Sequence, residues 1–333
     1  MTPPMNRMEG RLAASWPGGQ RAVRAGEPRC ALNPEVWNGW VGEISAAGEA
    51  HRMPELPEVE ILRRHLDGVL RGRCVLSVDV LRPRLVRPTG AEVLRGLLVG
   101  VQVRAVGRRG KHLLIEGTDV SGNGGERRIV GHLGMTGRMF VDDGAKELPR
   151  HAAVVLGLDQ GRFVFEDPRQ FGRFHTDLSA IDHMGPEPWD AVWTPNAFGQ
   201  RISGSGRSIK ELLLDQSVVA GVGNIYASEA LWMAGIRPTR AGRRLTADEC
   251  GRLWTAVREV LEAAIELGLR AKPDFASGAG GLFYYGESGA GSGVEERFRV
   301  YDREGQPCPQ CGGGIQRLVQ GARSSFFCRG CQS

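Results

Sequence analysis

No run of 18 consecutive apolar residues occurs in this 333-residue chain, so no membrane-spanning helix is expected. The first 52 residues also lack the apolar core of a signal peptide. They show no sustained period of 2 or 3.6, and they hold Pro, Gly, Ala and Arg in quantity. Residues 1–52 therefore read as a disordered extension or as upstream sequence ahead of a mis-assigned start, with Met53 as the true start. A secretory disulfide framework is missing too: of seven cysteines, three are scattered and four lie in one tight cluster. A reducing compartment fits that distribution, and a cytoplasmic location is expected. Strong charge of either sign is absent. The net charge of +5 gives only a mild bias toward polyanionic partners. The length admits two globular domains.

What is present begins at Met53-Pro54-Glu55-Leu56-Pro57-Glu58-Val59-Glu60. Pro57 suits the first turn of a helix, where a missing N–H costs nothing. Val59, Leu62, Leu66, Val69 and Leu70 then recur at helical spacing. Read alone, the octapeptide is most simply a proline-rich turn before a helix. If the chain starts at Met53 and the methionine is removed, Pro54 carries a free secondary amine with an ordinary pKa of roughly 8. Inside a longer chain its nitrogen is an inert tertiary amide.

Short alternating runs with Gly-rich turns follow and predict an antiparallel β-sandwich. Leu76, Val78 and Val80 alternate with Ser77 and Asp79; Val101, Val103 and Ala105 form a second series. His151 to Leu158 and Arg162 to Phe165 read as a hairpin pair. The segment from Gly185 to Ser208 is rich in Pro, Gly, Trp and Ser and reads as a linker. Helices are expected at Ile209–Leu214 and Asn224–Met233, and after the capping box Thr246-Ala247-Asp248-Glu249. Cys250 falls on the apolar face of that last helix and reads as core. The expected fold class is α+β: an N-terminal antiparallel β-sandwich with a leading helix, a helical domain, and a C-terminal hairpin. The expected boundaries are 1–52, 53–186, 187–298 and 299–333.

Cys308-Pro309-Gln310-Cys311 and Cys328-Arg329-Gly330-Cys331 are two C-x2-C pairs separated by sixteen residues. Four thiolates complete a tetrahedral shell around one Zn²⁺ and leave no open position for a water, so the metal is structural. The alternative is a pair of redox dithiols. Between the pairs, Gln320 to Phe327 reads as a hairpin whose tip offers Arg323, either as a phosphate contact or as a solvated residue.

Taken together, Met53–Glu60, Arg109-Gly110-Lys111, His132-Leu133-Gly134-Met135-Thr136-Gly137, Asp167-Pro168-Arg169-Gln170-Phe171-Gly172, Val222–Glu229 and the cysteine cluster follow one another in a fixed order. The span 53–333 resembles bacterial formamidopyrimidine-DNA glycosylase, a bifunctional base-excision repair enzyme. The related endonuclease VIII usually begins Pro-Glu-Gly-Pro, so Leu56 favours the former. The resemblance implies a lesion-binding cleft between the β-sandwich and a helix–two-turn–helix domain. Its partner is damaged double-stranded DNA, its substrates are oxidised purines such as 8-oxoguanine and formamidopyrimidines, and the protein acts as a monomer away from any membrane.

The resemblance also assigns roles. Pro54 attacks C1′ of the damaged nucleotide. Glu55 donates a proton, and Glu58 lines the pocket. Lys111 and Arg323 serve β- and δ-elimination. His132, His151, Arg169 and Asn224 match phosphate contacts. Met135, Arg169 and Phe171 match the residues that fill the hole left by the extruded base; without the resemblance, Met135 and Phe171 read as ordinary core.

Three departures from the family pattern stand out. Ser205-Gly206-Arg207 replaces an expected lysine ahead of Ile209-Lys210. The Gly/Ser-rich stretch 276–293, around Leu282 to Tyr285, departs from the usual lesion-capping loop. Finally, the 52-residue extension would block Pro54. If that extension stays attached, the chain reads instead as a non-catalytic binder of damaged DNA. An endonuclease VIII-like pyrimidine glycosylase differs only in substrate.

Overall fold

The computed structural model describes residues 54–120, 124–270 and 298–333. Expectations for residues 1–52 and 276–293 lie outside these. Helix α1 (Leu56–Leu70) opens the described chain, with Pro57 in its first turn. Its face of Val59, Ile61, Leu62, Leu66 and Leu70 is buried. Each such side chain contributes roughly 2 kcal/mol of apolar burial. The strands are β1 (Val75–Val80), β2 (Val101–Arg109), β3 (His112–Asp119), β4 (Glu126–His132), β5 (Arg138–Asp142), β6 (Ala152–Leu158), β7 (Arg162–Glu166) and β8 (Arg173–His175), with helix α2 (Ala91–Leu98) between β1 and β2. They build two antiparallel four-stranded sheets, ordered β1-β6-β7-β5 and β2-β3-β4-β8. The predicted sandwich is present.

Two strands depart from simple alternation. A bulge between Val75 and Ser77 turns Leu76 outward, 62% exposed, while Val75 and Val78 are buried. A second bulge between Val103 and Ala105 puts Val106, rather than Ala105, into the core. An extra residue in one strand shifts all later side chains to the other face.

The segment expected to be a linker carries a short helix, α3 (Ser179–Asp182) just ahead of it, and α4 (Pro195–Ile202) within it. The Thr194 hydroxyl caps α4 by accepting the Ala197 N–H. Trp193, Phe198 and Ile202 bury themselves in the core, which is why a Gly- and Trp-rich stretch is ordered here. Helices α5 (Ile209–Leu214), α6 (Asn224–Met233) and α7 (Ala247–Arg270) complete the helical region, and Cys250 is buried on α7 as expected. The capping box at Thr246 and Glu249 forms in both directions. One continuous apolar core runs from the sandwich through α1 into α6 and α7. Strands β9 (Ile315–Gln320) and β10 (Arg323–Cys328) pair as the C-terminal hairpin. That hairpin has its own small core: Val300, Cys308, Ile315, Phe326 and Cys328, together with Trp232 from α6.

Candidate active site and nucleic-acid interface

Glu55 sits at the N-cap of α1 and is 3% exposed. Its carboxylate accepts the Ile225 N–H at 2.9 Å and the Tyr226 N–H at 3.4 Å. These are the free donors of the first turn of α6, so one helix N-terminus cradles a carboxylate from another. Gly223 makes the approach possible: a Cβ there would meet the Glu55 carboxyl carbon at 2.2 Å. Gly221, at φ +92°, lies against Leu56 just as closely, and the Leu56 N–H donates to the Gly221 carbonyl at 3.2 Å. Thus Gly221-Val222-Gly223 locks the start of α1 onto the start of α6.

Glu58, 1% exposed, accepts the Glu55 N–H at 2.8 Å and the Tyr226 hydroxyl at 2.7 Å. Pro54, immediately before Glu55 in the chain, is buried. Lys111 completes the group from the two-residue β2–β3 turn. Burial pushes the Glu55 carboxyl above its usual range, against the pull of the Lys111 ammonium and the Ile225 N–H. Burial likewise pulls the Lys111 ammonium down, with Glu55 opposing. The pair is therefore a carboxyl that holds a proton unusually well beside an amine that releases one unusually easily, a combination suited to general acid–base work.

The turn carrying Lys111 is held from the supposed linker. Glu187 accepts the Gly110 N–H at 2.6 Å and forms a two-toothed ion pair with Arg108 at 2.8 and 2.7 Å. Arg108 also reaches Glu60 on α1 at 3.0 Å. Sequence reasoning passed over this network, because its members are scattered and each reads as a surface charge.

Lys210 was missed for the same reason. It lies in the first turn of α5, after a Ser208–Glu211 capping box, yet it is 1% exposed. Its ammonium donates to the Ser324 carbonyl and the Ser325 hydroxyl, both at 2.8 Å. Burial pulls its pKa down to about 7. The Asn224 side-chain amide donates to the same Ser324 carbonyl at 3.0 Å. These bonds fix the tip of the β9–β10 hairpin, and Arg323, exposed at that tip, is close enough to depress both Lys111 and Lys210. Arg207 pairs with Asp215 at 2.6 Å, so its guanidinium is turned onto its own α5 cap region.

A second cluster lies along the β4–β5 connection. Asp167 accepts the Thr136 hydroxyl at 2.5 Å, the Gly172 N–H at 2.7 Å and the Arg169 N–H at 3.2 Å. This binds the 167–172 turn to the 133–137 loop and presents Met135, Arg169 and Phe171 together. Phe171 is 47% exposed, and the Arg169 guanidinium lies 4.8 Å from its ring centre. An ordinary core role for Phe171 is thereby excluded. His132 pairs across the sheet with His112, ring centres 4.6 Å apart. Burial holds both below the usual imidazole range, at about 4 and about 3. His151 joins this region through its backbone: its carbonyl accepts the Asp167 N–H at 3.1 Å.

The Cys308, Cys311, Cys328 and Cys331 sulfurs all lie within 4.8 Å of one another, with Cys308–Cys331 at 3.8 Å and Cys311–Cys328 at 3.4 Å. Tetrahedral Zn²⁺ with bonds of about 2.3 Å needs sulfurs about 3.8 Å apart. The four cysteines fit one structural zinc ion, which ties residues 308–311 to 328–331 and so supports the Arg323 tip.

Comparison with known proteins places these features in context. Residues 53–174 match the formamidopyrimidine-DNA glycosylase N-terminal domain, 184–273 its H2TH domain, and 305–333 the zinc finger found in FPG and IleRS. The chain is 40% identical over 287 residues to the formamidopyrimidine-DNA glycosylase of Chloroflexus aurantiacus, covering 84% of this chain and 98% of that protein. It is 41% identical over 296 residues to that of Paracoccus denitrificans, with 84% and 100% covered. A structure of Lactococcus lactis Fpg in complex with DNA containing an abasic site superposes with a TM-score of 0.72 at 30% identity, covering 84% of this chain and all of that one. A complex of the Lactococcus lactis protein with Fapy-dG-containing DNA superposes with a TM-score of 0.71 at 31% identity, over the same shares of the two chains.

Proposed function

This chain belongs to the formamidopyrimidine-DNA glycosylase family, and from that premise we propose how its own residues act on damaged DNA. It is a DNA glycosylase of base-excision repair with a structural zinc finger. The substrates are oxidised purines, 8-oxoguanine and formamidopyrimidines, in duplex DNA. The nucleophile is the secondary amine of Pro54, freed when the chain begins at that residue. The relatives match over their whole length, or nearly so, to a span whose first family domain starts at residue 53, which supports this start.

The Pro54 lone pair forms a bond to C1′ while the C1′–base bond breaks, and its electrons leave with the base. Glu55, whose carboxyl burial makes a better keeper of a proton, supplies the proton that this step needs at the base or the sugar oxygen. Opening of the sugar leaves an iminium between Pro54 and C1′, and the amine's own proton is lost. A secondary amine gives this ion a permanent positive charge, so it draws electrons without further protonation. Loss of a C2′ proton then expels the 3′ phosphate, and a second elimination expels the 5′ phosphate. Lys111 moves protons in the first elimination and Arg323 steadies phosphate in the second. Water finally hydrolyses the imine and returns Pro54.

His132, His151, Arg169 and Asn224 hold the backbone around the extruded nucleotide. Met135, Arg169 and Phe171 replace the lost stacking. The enzyme works as a monomer in the cytoplasm, on the nucleoid. Among the described residues no helix is long and apolar enough to cross a membrane.

The observation that carries this reading is the buried Glu55–Glu58 carboxyl pair, coupled to the half-buried Lys111 ammonium and next in the chain to Pro54. Borohydride trapping on duplex DNA containing 8-oxoguanine tests it. Trapping should be strong, Pro54→Gly should nearly abolish it, and Glu55→Gln should block base release. Undiminished trapping by a variant that cannot present a free amine at position 54 would remove Pro54 as the nucleophile.

A further inference from the structure

Trp232 lies in the last turn of α6, and its side chain is not turned to solvent or to the main core. It completes the apolar core of the C-terminal hairpin, beside Val300, Ile315 and Phe326. It is 4% exposed, and its indole N–H points at the Cys308 sulfur with a nitrogen–sulfur separation of 3.4 Å. A buried indole N–H must find an acceptor, and the acceptor here is a zinc ligand.

We propose that Trp232 donates a hydrogen bond to the zinc-bound thiolate of Cys308, and that this bond slows zinc loss and fixes the finger on α6. Four thiolates on one Zn²⁺ leave two excess negative charges in a partly buried site. Donors to the sulfurs disperse that charge and orient the ligands. Cys308 receives backbone N–H groups from Gln310 and Cys311 within its own turn. Trp232 adds a side-chain donor from outside the finger. Burial makes the bond effective: Cys308 is 2% exposed, whereas Cys311 is exposed to solvent.

Placement gives the bond a further consequence. The first turn of α6 holds the Glu55 carboxylate through Ile225 and Tyr226, and its last turn holds the zinc site through Trp232. Between these ends, Glu229 accepts the N–H groups of Arg299, Val300 and Tyr301, each at 2.9 Å, and so anchors the chain entering the finger. Helix α6 is therefore a strut with the acid at one end and the zinc ligand at the other.

The test uses the full zinc-loaded protein and a colorimetric chelator. Trp232→Phe keeps the ring and deletes the N–H, and it should transfer zinc on the order of ten-fold faster than the parent. Trp254→Phe is the control. Its N–H donates to the Trp193 carbonyl, and its ring packs on the main core rather than on that of the hairpin, so its zinc release should be unchanged. Cobalt-loaded Trp232→Phe should show its sulfur-to-metal charge-transfer bands at lower energy, because the thiolate has lost a donor. Release and spectrum both equal to the parent would overturn the proposal.

If Trp232→Phe fails to fold, the parent protein loaded with cadmium-113 decides. A scalar coupling between the metal and the Trp232 indole proton is expected across the hydrogen bond. Its absence, with cadmium held by four thiolates, would refute the proposal. The inference concerns the zinc centre alone, so its failure would leave the assignment of Pro54 untouched.

Discussion

Gly223→Ala should disable base excision without harming the fold of the sandwich. The backbone at this position, φ −126° and ψ −163°, is one that any residue adopts, so strain is not the issue. Space is. An alanine Cβ would stand 2.2 Å from the Glu55 carboxyl carbon and 2.4 and 2.5 Å from its oxygens, where ordinary contact begins at 3.4 Å. The carboxylate must retreat by about 1 Å, and a misplacement of that size costs roughly 10²-fold in rate. It cannot retreat freely, because Ile225 and Tyr226 hold it. Losing hydrogen bonds to a carboxylate costs about 1.5–3 kcal/mol each.

Single-turnover release of 8-oxoguanine should therefore fall about a hundred-fold in Gly223→Ala, with DNA affinity nearly unchanged. The pH profile should move as well. The two N–H groups hold the Glu55 pKa down against burial, so their loss should shift the alkaline limb to higher pH. Gly251→Ala is the control: it is a helix-interior glycine with nothing within 4 Å of its added Cβ, so it should keep full activity and gain up to about 1 kcal/mol of stability. Parent-like excision by Gly223→Ala would refute the view that the position of Glu55 governs the reaction.

Acid stability follows from the paired, tilted rings of His112 and His132. His112 and His132 are held at about 3 and about 4 when folded, against an ordinary 6.5, so the unfolded chain binds their protons first. Their contribution is complete above pH 6.5 and is lost as pH falls, toward 4 for His132 and toward 3 for His112, by at most about 1.4 kcal/mol per pH unit per histidine. Urea titrations across that window should show the slope, and His132→Gln should reduce it; a flat profile would contradict neutral burial. Zinc removal should abolish DNA binding and leave the sandwich folded, because the thiolates hold only the hairpin that presents Arg323 and Ser324. Binding that survives confirmed metal loss would separate the finger from the DNA surface.

Sequence pattern carried the zinc centre, the leading helix and the order of motifs, because each depends on residues close together in the chain. It could not carry Lys210, whose partners lie 114 and 115 residues away and convert an apparently solvated lysine into a buried clamp. Nor could it place α4, since the burial of Trp193, Phe198 and Ile202 outweighs the turn-like composition around them. Leu76 read as one face of an alternating strand with Val78 and Val80, but a bulge one residue wide turned it to solvent while Val78 stayed buried. The exposure of Phe171 is the converse case: an aromatic beside a glycine reads as packing, and only the turn tied by Asp167 shows it presented outward with Arg169.

The central claim is that Pro54 supplies the attacking amine. Borohydride-trapped protein, digested with trypsin and analysed by mass spectrometry, addresses it directly. The account predicts that the sugar remnant is attached to the nitrogen of Pro54 in a peptide that begins at that residue. A remnant on Lys111 or another lysine, or a trapped chain that still carries residues 1–52, would contradict it.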